Sequence, residues 1–220
     1  MLISLFTSLS IWQLTRANQK KLLLARHTER MNHPPLTARN LAQLFQKQDL
    51  RFYRVTLHGE FDHQHTFLLD NRTFYGQIGY EIYSLFKAQG LSQPILVDRG
   101  FIPADTDRTK LPIIKEIRGT ITITGMLNTP PTYVAFGDFY DSSIHTSPLR
   151  VEYIHLQKIA KLLSEEIYPY ILIITPHHVA AYPIEWKIIT MGPERHIGYA
   201  LQWFAIALTL LIIWIALNRA

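Results

Sequence analysis

Apolar and polar positions are arranged in three different ways along this chain, and each arrangement predicts a different element. Toward the C-terminal end the alternation stops. From Tyr199 to Leu217, 19 residues, the only strongly polar side chain is Gln202. A helix of that length reaches ~29 Å, which matches a hydrocarbon core of ~30 Å. The segment predicts a transmembrane helix. Glu194, Arg195 and His196 fall at its water boundary, and Tyr199 and Trp203 fall where interfacial aromatics anchor such a helix. His196, Tyr199 and Trp203 follow i, i+3, i+7 spacing and are expected to share one face. That stripe can face lipid, another subunit or a flat cofactor. Anchoring is the competing account, because transmembrane helices commonly open on charged and aromatic residues, and Arg195 can snorkel to lipid phosphates.

The N-terminal run Met1–Leu14 is also apolar, but its 14 residues make only ~21 Å of helix. No basic residue precedes it and no small-x-small site follows, so it does not read as a signal peptide. Trp12, Arg16, Lys20 and Lys21 form an aromatic-then-basic exit from a bilayer. The expected account is a first membrane helix whose opening turns are missing from this sequence; the alternative is an interfacial anchor. From Gln19 to Arg30 the chain is basic and helical, an extension of that helix into water, which Pro34-Pro35 breaks. Thr37 is placed to cap a short helix carrying Leu41, Leu44 and Phe45.

The middle of the chain alternates with period two. Phe52–Gly59 predicts a first strand and Thr66–Leu69 a second, followed by a turn at Asp70-Asn71-Arg72. Gly79–Phe86, Pro94–Asp98 and Gly119–Leu127 predict three more, the last with Ile121 and Ile123 set against Thr120, Thr122 and Thr124. Pro130-Pro131 opens a loop to Pro148. A helix is expected over His155–Glu166, with final strands near Tyr170–Thr175 and Trp186–Thr190. Successive strands without long helices between them favour antiparallel pairing. The expected fold is therefore an α+β membrane protein: a first transmembrane helix over 1–16, an antiparallel β-rich extramembrane domain over 17–195 shaped as an open barrel or sandwich, and a second transmembrane helix over 196–217.

Composition narrows the chemistry. Two membrane segments leave about 180 residues outside the bilayer, enough for one core. The net charge of +5 and pI near 9.4 come without a block of like charge or a basic stripe, so the excess reads as membrane-proximal and nucleic acid is not an expected partner. The chain has no cysteine, hence no disulfide, thiolate metal site, c-type haem attachment or thiol nucleophile. Asp98, Asp105 and Asp107 lie near Arg99 and Arg108 in sequence, and a strand-end turn held by Asp–Arg pairs explains them better than acid–base work. His63-x-His65 and His177-His178 lack a third and fourth ligand at recognisable spacing. No P-loop, dinucleotide fingerprint or nucleophile elbow is present. No enzymatic activity is expected, and a sensor's output domain across the membrane is not expected either.

Four motifs change the picture. The run Met191…Pro193-Glu194-Arg195-His196-x-Gly198-Tyr199-Ala200-x-Gln202-Trp203-Phe204 resembles the C-terminal signature of the Surfeit-locus family of cytochrome c oxidase assembly factors. Trp12-Gln13-Leu14-Thr15-Arg16 resembles the end of that family's first membrane helix, with Ser10 standing where the family has glycine. Arg51–Phe61 is similar to its first strand motif. Leu96-Val97-Asp98-Arg99-Gly100-Phe101-Ile102-Pro103 is similar to its central motif, in which Asp98 replaces an asparagine and Phe101 a tryptophan. Asp98 is expected to pair with Arg99.

The resemblance implies a bacterial inner-membrane protein with both termini in the cytoplasm and its soluble domain on the periplasmic side. A naive count of Arg16, Lys20, Lys21, Arg26, Lys187 and Arg195 on the domain side would instead place that domain in the cytoplasm. The implied function is maturation of cytochrome c oxidase, by delivering haem A to subunit I or stabilising it there, with the haem A synthesis enzymes as further partners. Haem iron takes an axial imidazole, its macrocycle an apolar slot and its propionates a cation. Under the resemblance, His196 is the candidate iron ligand, Tyr199 and Trp203 the candidate flanking rings, and Arg195 or Arg16 the propionate partner. Trp12 and Gln13 are expected to approach Gln202 and Trp203 across the helix pair. The alternative is a membrane-anchored scaffold that binds oxidase subunits and never touches haem.

Overall fold

A computed structural model describes residues 1–132, 139–140, 147–186 and 188–219, and the chain divides into two units, Met1–Glu29 with Lys187–Ala220, and Arg30–Trp186. In chain order the elements are α1 (Leu2–Met31), α2 (Ala38–Leu44), β1 (Arg54–Phe74), β2 (Gln77–Ala88), β3 (Ile95–Pro103), β4 (Ile121–Asn128), β5 (Leu149–Val151), α3 (Leu156–Leu163), β6 (Ile171–Ile174) and α4 (Pro193–Leu217).

The first unit is helical. No glycine or proline interrupts Leu2–Met31, so α1 runs unbroken from its apolar start through the basic Gln19–Arg30 stretch. α4 opens on Gly192 with Pro193 at its first turn, where a missing N–H costs nothing, and Glu194 complements the positive end of the helix dipole. Among the described residues α4 is the one helix long and apolar enough to cross a membrane.

The second unit is a sheet bent into a ring. β1 pairs antiparallel with β2 and with β4, β2 with β3, and β4 with β6. β3 and β6 pair in parallel, as do β1 and β5. The pairings β1–β2–β3–β6–β4–β1 close a five-stranded barrel, with β5 added outside on β1. The expectation of antiparallel pairing throughout is therefore corrected. The chain travels from β3 through β4, β5 and α3 before β6 inserts between β3 and β4, and a connection that long lets it return in the same direction. Gly59 sits where β1 changes partners, facing both Ala88 and Ile121. A Cβ there would lie 2.1 Å from the Lys87 carbonyl oxygen, so closure needs glycine.

The first two predicted strands are one 21-residue strand, β1, with register shifts between Phe61 and Thr66 and between Leu69 and Arg72. Asn71, expected in a turn, instead takes φ 55° inside the second irregularity, and the turn falls at Tyr75-Gly76. No strand forms at Trp186 or Ile188–Thr190; the Trp186 indole donates to the Ile174 carbonyl, 3.0 Å. Of the loop expected from Pro130 to Pro148, residues 133–138 and 141–146 lie outside the described residues. α3 begins one residue later than expected, with His155 as its cap, and ends early because Ser164 turns left-handed at φ 52°.

The strands bury both faces. Val55, Leu57, Phe86, Val97 and Leu172 pack with Leu41 of α2 on one side. Phe67, Tyr83, Leu85, Leu96 and Ile171 pack with Ile159 of α3 on the other. The near-continuous apolar run of β6 follows from this two-sided burial.

Candidate functional site in the helix pair

Three contacts define how α1 and α4 meet. The rings of Phe6 and Trp203 stack at 5.6 Å. Ser10 Oγ donates to the Ala200 carbonyl at 2.9 Å. Gln13 Oε1 lies 2.8 Å from His196 Nδ1. Residue number climbs on one helix as it falls on the other, so the pair is antiparallel. Among the covered positions a seam runs through Ile3, Phe6, Ser10, Gln13 and Ala17 on α1, and Pro193, His196, Ala200, Trp203 and Ala207 on α4, with Leu9 and Leu210 among others partly covered beside it. Both sets advance by alternating three and four residues, the seven-residue repeat of helices wound about each other. The most buried are Ser10 and Ala17 on one helix and Pro193, Ala200 and Ala207 on the other, four of the five being small. Small side chains let backbones approach closely, and the larger residues fill the spaces between them.

The expected stripe divides along this seam. His196 and Trp203 lie in it. Tyr199, roughly 100° of helical turn from Ala200, is 45% exposed, and Arg195 is exposed too. Trp12 and Gln202 also face outward, and the Arg16 guanidinium sits over the Trp12 ring at 5.5 Å. Gln13 does approach α4, but at His196, and the partner of Trp203 is Phe6. The antiparallel register sets this pairing, where sequence reasoning had put Trp12 and Gln13 against Gln202 and Trp203. Phe6 and Ser10 were missed; small residues recurring at every seventh position, Ser10/Ala17 and Ala200/Ala207, were the available signal.

An N–H on His196 Nδ1 would donate to the Gln13 amide oxygen that faces it. A second partner on one ring nitrogen is the usual way a ligating imidazole is oriented. The chemistry of this donor set would fit a single imidazole ligand to a metal, while the ring of Trp203 is already covered by Phe6.

The other sequence candidates do not converge. Asp105 and Asp107 accept bonds within their own turn, from Asp107 N and Thr109 N, and Arg108 pairs with Asp70. Asp98 does not pair with Arg99. Its carboxyl accepts the Gly100 N–H at 2.9 Å and lies beside Glu81, which binds Arg72 Nε at 3.1 Å. Burial, then the neighbouring Glu81 charge, pushes the Asp98 carboxyl well above the usual carboxylate range. His65 pairs with Asp62 at 3.2 Å. His178 accepts from Ala180 N through Nδ1, which leaves Nε2 to donate to the Thr122 carbonyl. Among the described residues no three His, Asp or Glu side chains are grouped to hold a metal ion.

A strongly apolar helix paired with a second helix through polar bonds, on the same chain as an α+β barrel unit, defines a membrane-associated protein. A family model described as the SURF1 family matches residues 1–208, and the chain belongs to that family, known generally as oxidase assembly factors. A SURF1-like protein of Rickettsia felis is 25% identical over 226 residues, covering 98% of this chain and 93% of that protein. Another from Rickettsia conorii is 24% identical, covering 98% and 88%. One from Monosiga brevicollis is 20% identical, covering 96% and 82%.

Proposed function

We propose that this chain assists maturation of cytochrome c oxidase by presenting or stabilising haem A for subunit I, and that it has no enzymatic activity of its own. Both α1 and α4 span the inner membrane of a bacterium in this reading, with the barrel unit on the periplasmic side. The observation that carries the haem assignment is the Gln13–His196 bond, which engages Nδ1 and orients the imidazole, so that Nε2 would be the atom offered to iron. His196 would hold the iron, with Tyr199 and Trp203 beside the macrocycle and Arg195 near its propionates; the bound group would supply the redox-active iron that the oxidase needs. A single protein ligand would suit a carrier that must release its cargo. Haem A synthesis enzymes are the donors in this scheme.

The test is a visible absorption spectrum of detergent-purified protein after co-expression with those enzymes, at equal protein. Wild type is expected to carry haem A, His196→Ala to lose it, and Gln13→Ala to retain less with a shifted Soret band. Haem retained fully in both variants would move the ligand elsewhere. A second reading is a scaffold that binds oxidase subunits without touching haem. It is favoured by the Phe6–Trp203 stack, which already covers one proposed flanking ring, and by Tyr199 lying off the His196 seam. Absence of haem in wild type, with an oxidase defect in a strain lacking the gene, would establish it.

A further inference from the structure

Arg99 lies in the barrel unit, only 3% exposed, and no carboxylate among the described residues pairs with it. It is the extra residue of a bulge in β3, since Ile82 and Tyr83 of β2 face Gly100 and Asp98 and skip it. Gly100 makes the bulge possible: its φ is 105°, and a Cβ would lie 2.7 Å from the Pro183 carbonyl oxygen. The bulge seats the guanidinium over the rings of Phe61 and Tyr182, at 5.1 and 5.4 Å. Arg99 Nε donates to the Ala180 carbonyl at 2.9 Å, Nη2 to the Lys115 carbonyl at 3.0 Å, and Nη1 reaches Ser84 Oγ at 3.4 Å. Tyr182 is itself fixed, its hydroxyl accepting Lys115 N–H at 2.7 Å.

This side chain lines a pocket of about 350 Å³. Ser84, Thr66 and Ser147 also line it, with Ser84 and Thr66 hydroxyls 3.2 Å apart, and Leu111 and Ile113 form apolar wall. Removing a cation from water costs several kcal/mol unless an opposite charge or a full set of acceptors compensates. Here three neutral acceptors meet a group with five N–H donors, so charge and donors remain in excess. The two acids at the pocket are committed elsewhere: Asp62 to Lys87 at 3.2 Å, and Glu116 to Arg118 at 2.8 Å. They would repel a dianion. Ile113 is 94% exposed at the pocket, an apolar side chain without a partner.

We propose that this pocket binds a monoanionic carboxylate carried on a short apolar group, the carboxylate meeting Arg99 and the hydroxyls, and the apolar group meeting Leu111 and Ile113. The carboxylate is that of a free aliphatic acid or of a peptide chain terminus; their chemistry at the pocket is the same. Calorimetric titration of the full chain in detergent tests this with hexanoate and N-acetyl-leucine, against hexanamide, N-acetyl-leucinamide and inorganic phosphate. The acids are expected to bind and the neutral amides and phosphate are not. The tighter of the two acids identifies the source. Arg99→Gln should weaken the acids by about tenfold or more, the loss of a charge-assisted hydrogen bond. Since Arg99 is buried, Ile113→Asp is the companion variant: it changes an exposed side chain, leaves the circular dichroism spectrum intact and repels the ligand. Equal binding of acid and amide, preference for phosphate, or no binding of either acid to folded wild type overturns the proposal.

Discussion

The carboxyl of Asp98 is buried beside Glu81 and stands well above the usual carboxylate range, so the fold holds its proton to higher pH than the unfolded chain does. A raised acid contributes its stability at low pH, and that contribution falls as pH climbs above the ordinary value near 3.8 toward the folded one. The slope over this window approaches ~1.4 kcal/mol per pH unit. Asp98→Asn keeps an acceptor for the Gly100 N–H and offers an amide donor toward Glu81. It should raise the thermal unfolding midpoint of the detergent-solubilised chain at pH 7 and flatten the decline that sets in as pH rises above the ordinary value near 3.8. A variant less stable than wild type at pH 7, with the same slope, would remove Asp98 as the cause. Sequence placed a charge here where the related motif has asparagine, but its partner was not readable: Asp98 and Arg99 are chain neighbours, and the bulge at Arg99 sends them to different surroundings.

At the scale of elements, the pairing of α1 with α4 rests on a repeat of small residues and on two polar bonds in its seam. Ser10 explains the departure from glycine: the position must be small because the backbones meet there, and the hydroxyl finds the Ala200 carbonyl at 2.9 Å. The chain has no cysteine, which gives a clean background for cross-linking. Ser10→Cys with Ala200→Cys should form a disulfide within the monomer on mild oxidation, whereas Trp12→Cys with Gln202→Cys should not. The reverse result would mean that the outward faces meet instead. Both helices were legible from their apolar runs and from the absence of breakers before Pro34. Which faces meet was not, because aromatic spacing marks a face on one helix but carries no information about the facing one. The Tyr199 ring shares a stripe with His196 in projection, yet the seam centre runs through Ala200.

For the whole molecule, both-helix spanning with the barrel unit outside predicts that protease added to intact spheroplasts cuts the chain between Arg30 and Trp186. Full protection until the membrane is permeabilised would place that unit in the cytoplasm, where the count of Arg16, Lys20, Lys21, Arg26, Lys187 and Arg195 would have put it. Most strands were visible as period-two alternation, and β4 nearly to its ends. The ring closure was not, since it depends on Gly59 admitting the Lys87 carbonyl and on β6 arriving late beside β3. The buried Arg99 was named in a motif without any sign of its pocket, because the lining residues come from distant parts of the chain. Returning to the helix pair, a seam that repeats every seven residues has a built-in ambiguity. Sliding α4 by one repeat would set Ser10 against Ala207 and Ala17 against Ala200, small still facing small, and displace the span by ~10 Å along its axis. Packing alone is nearly blind to that slip. Gln13 and His196 are not, because only one register brings them together, so the same bond that orients an imidazole also works as the detent that sets the register of α4 against α1.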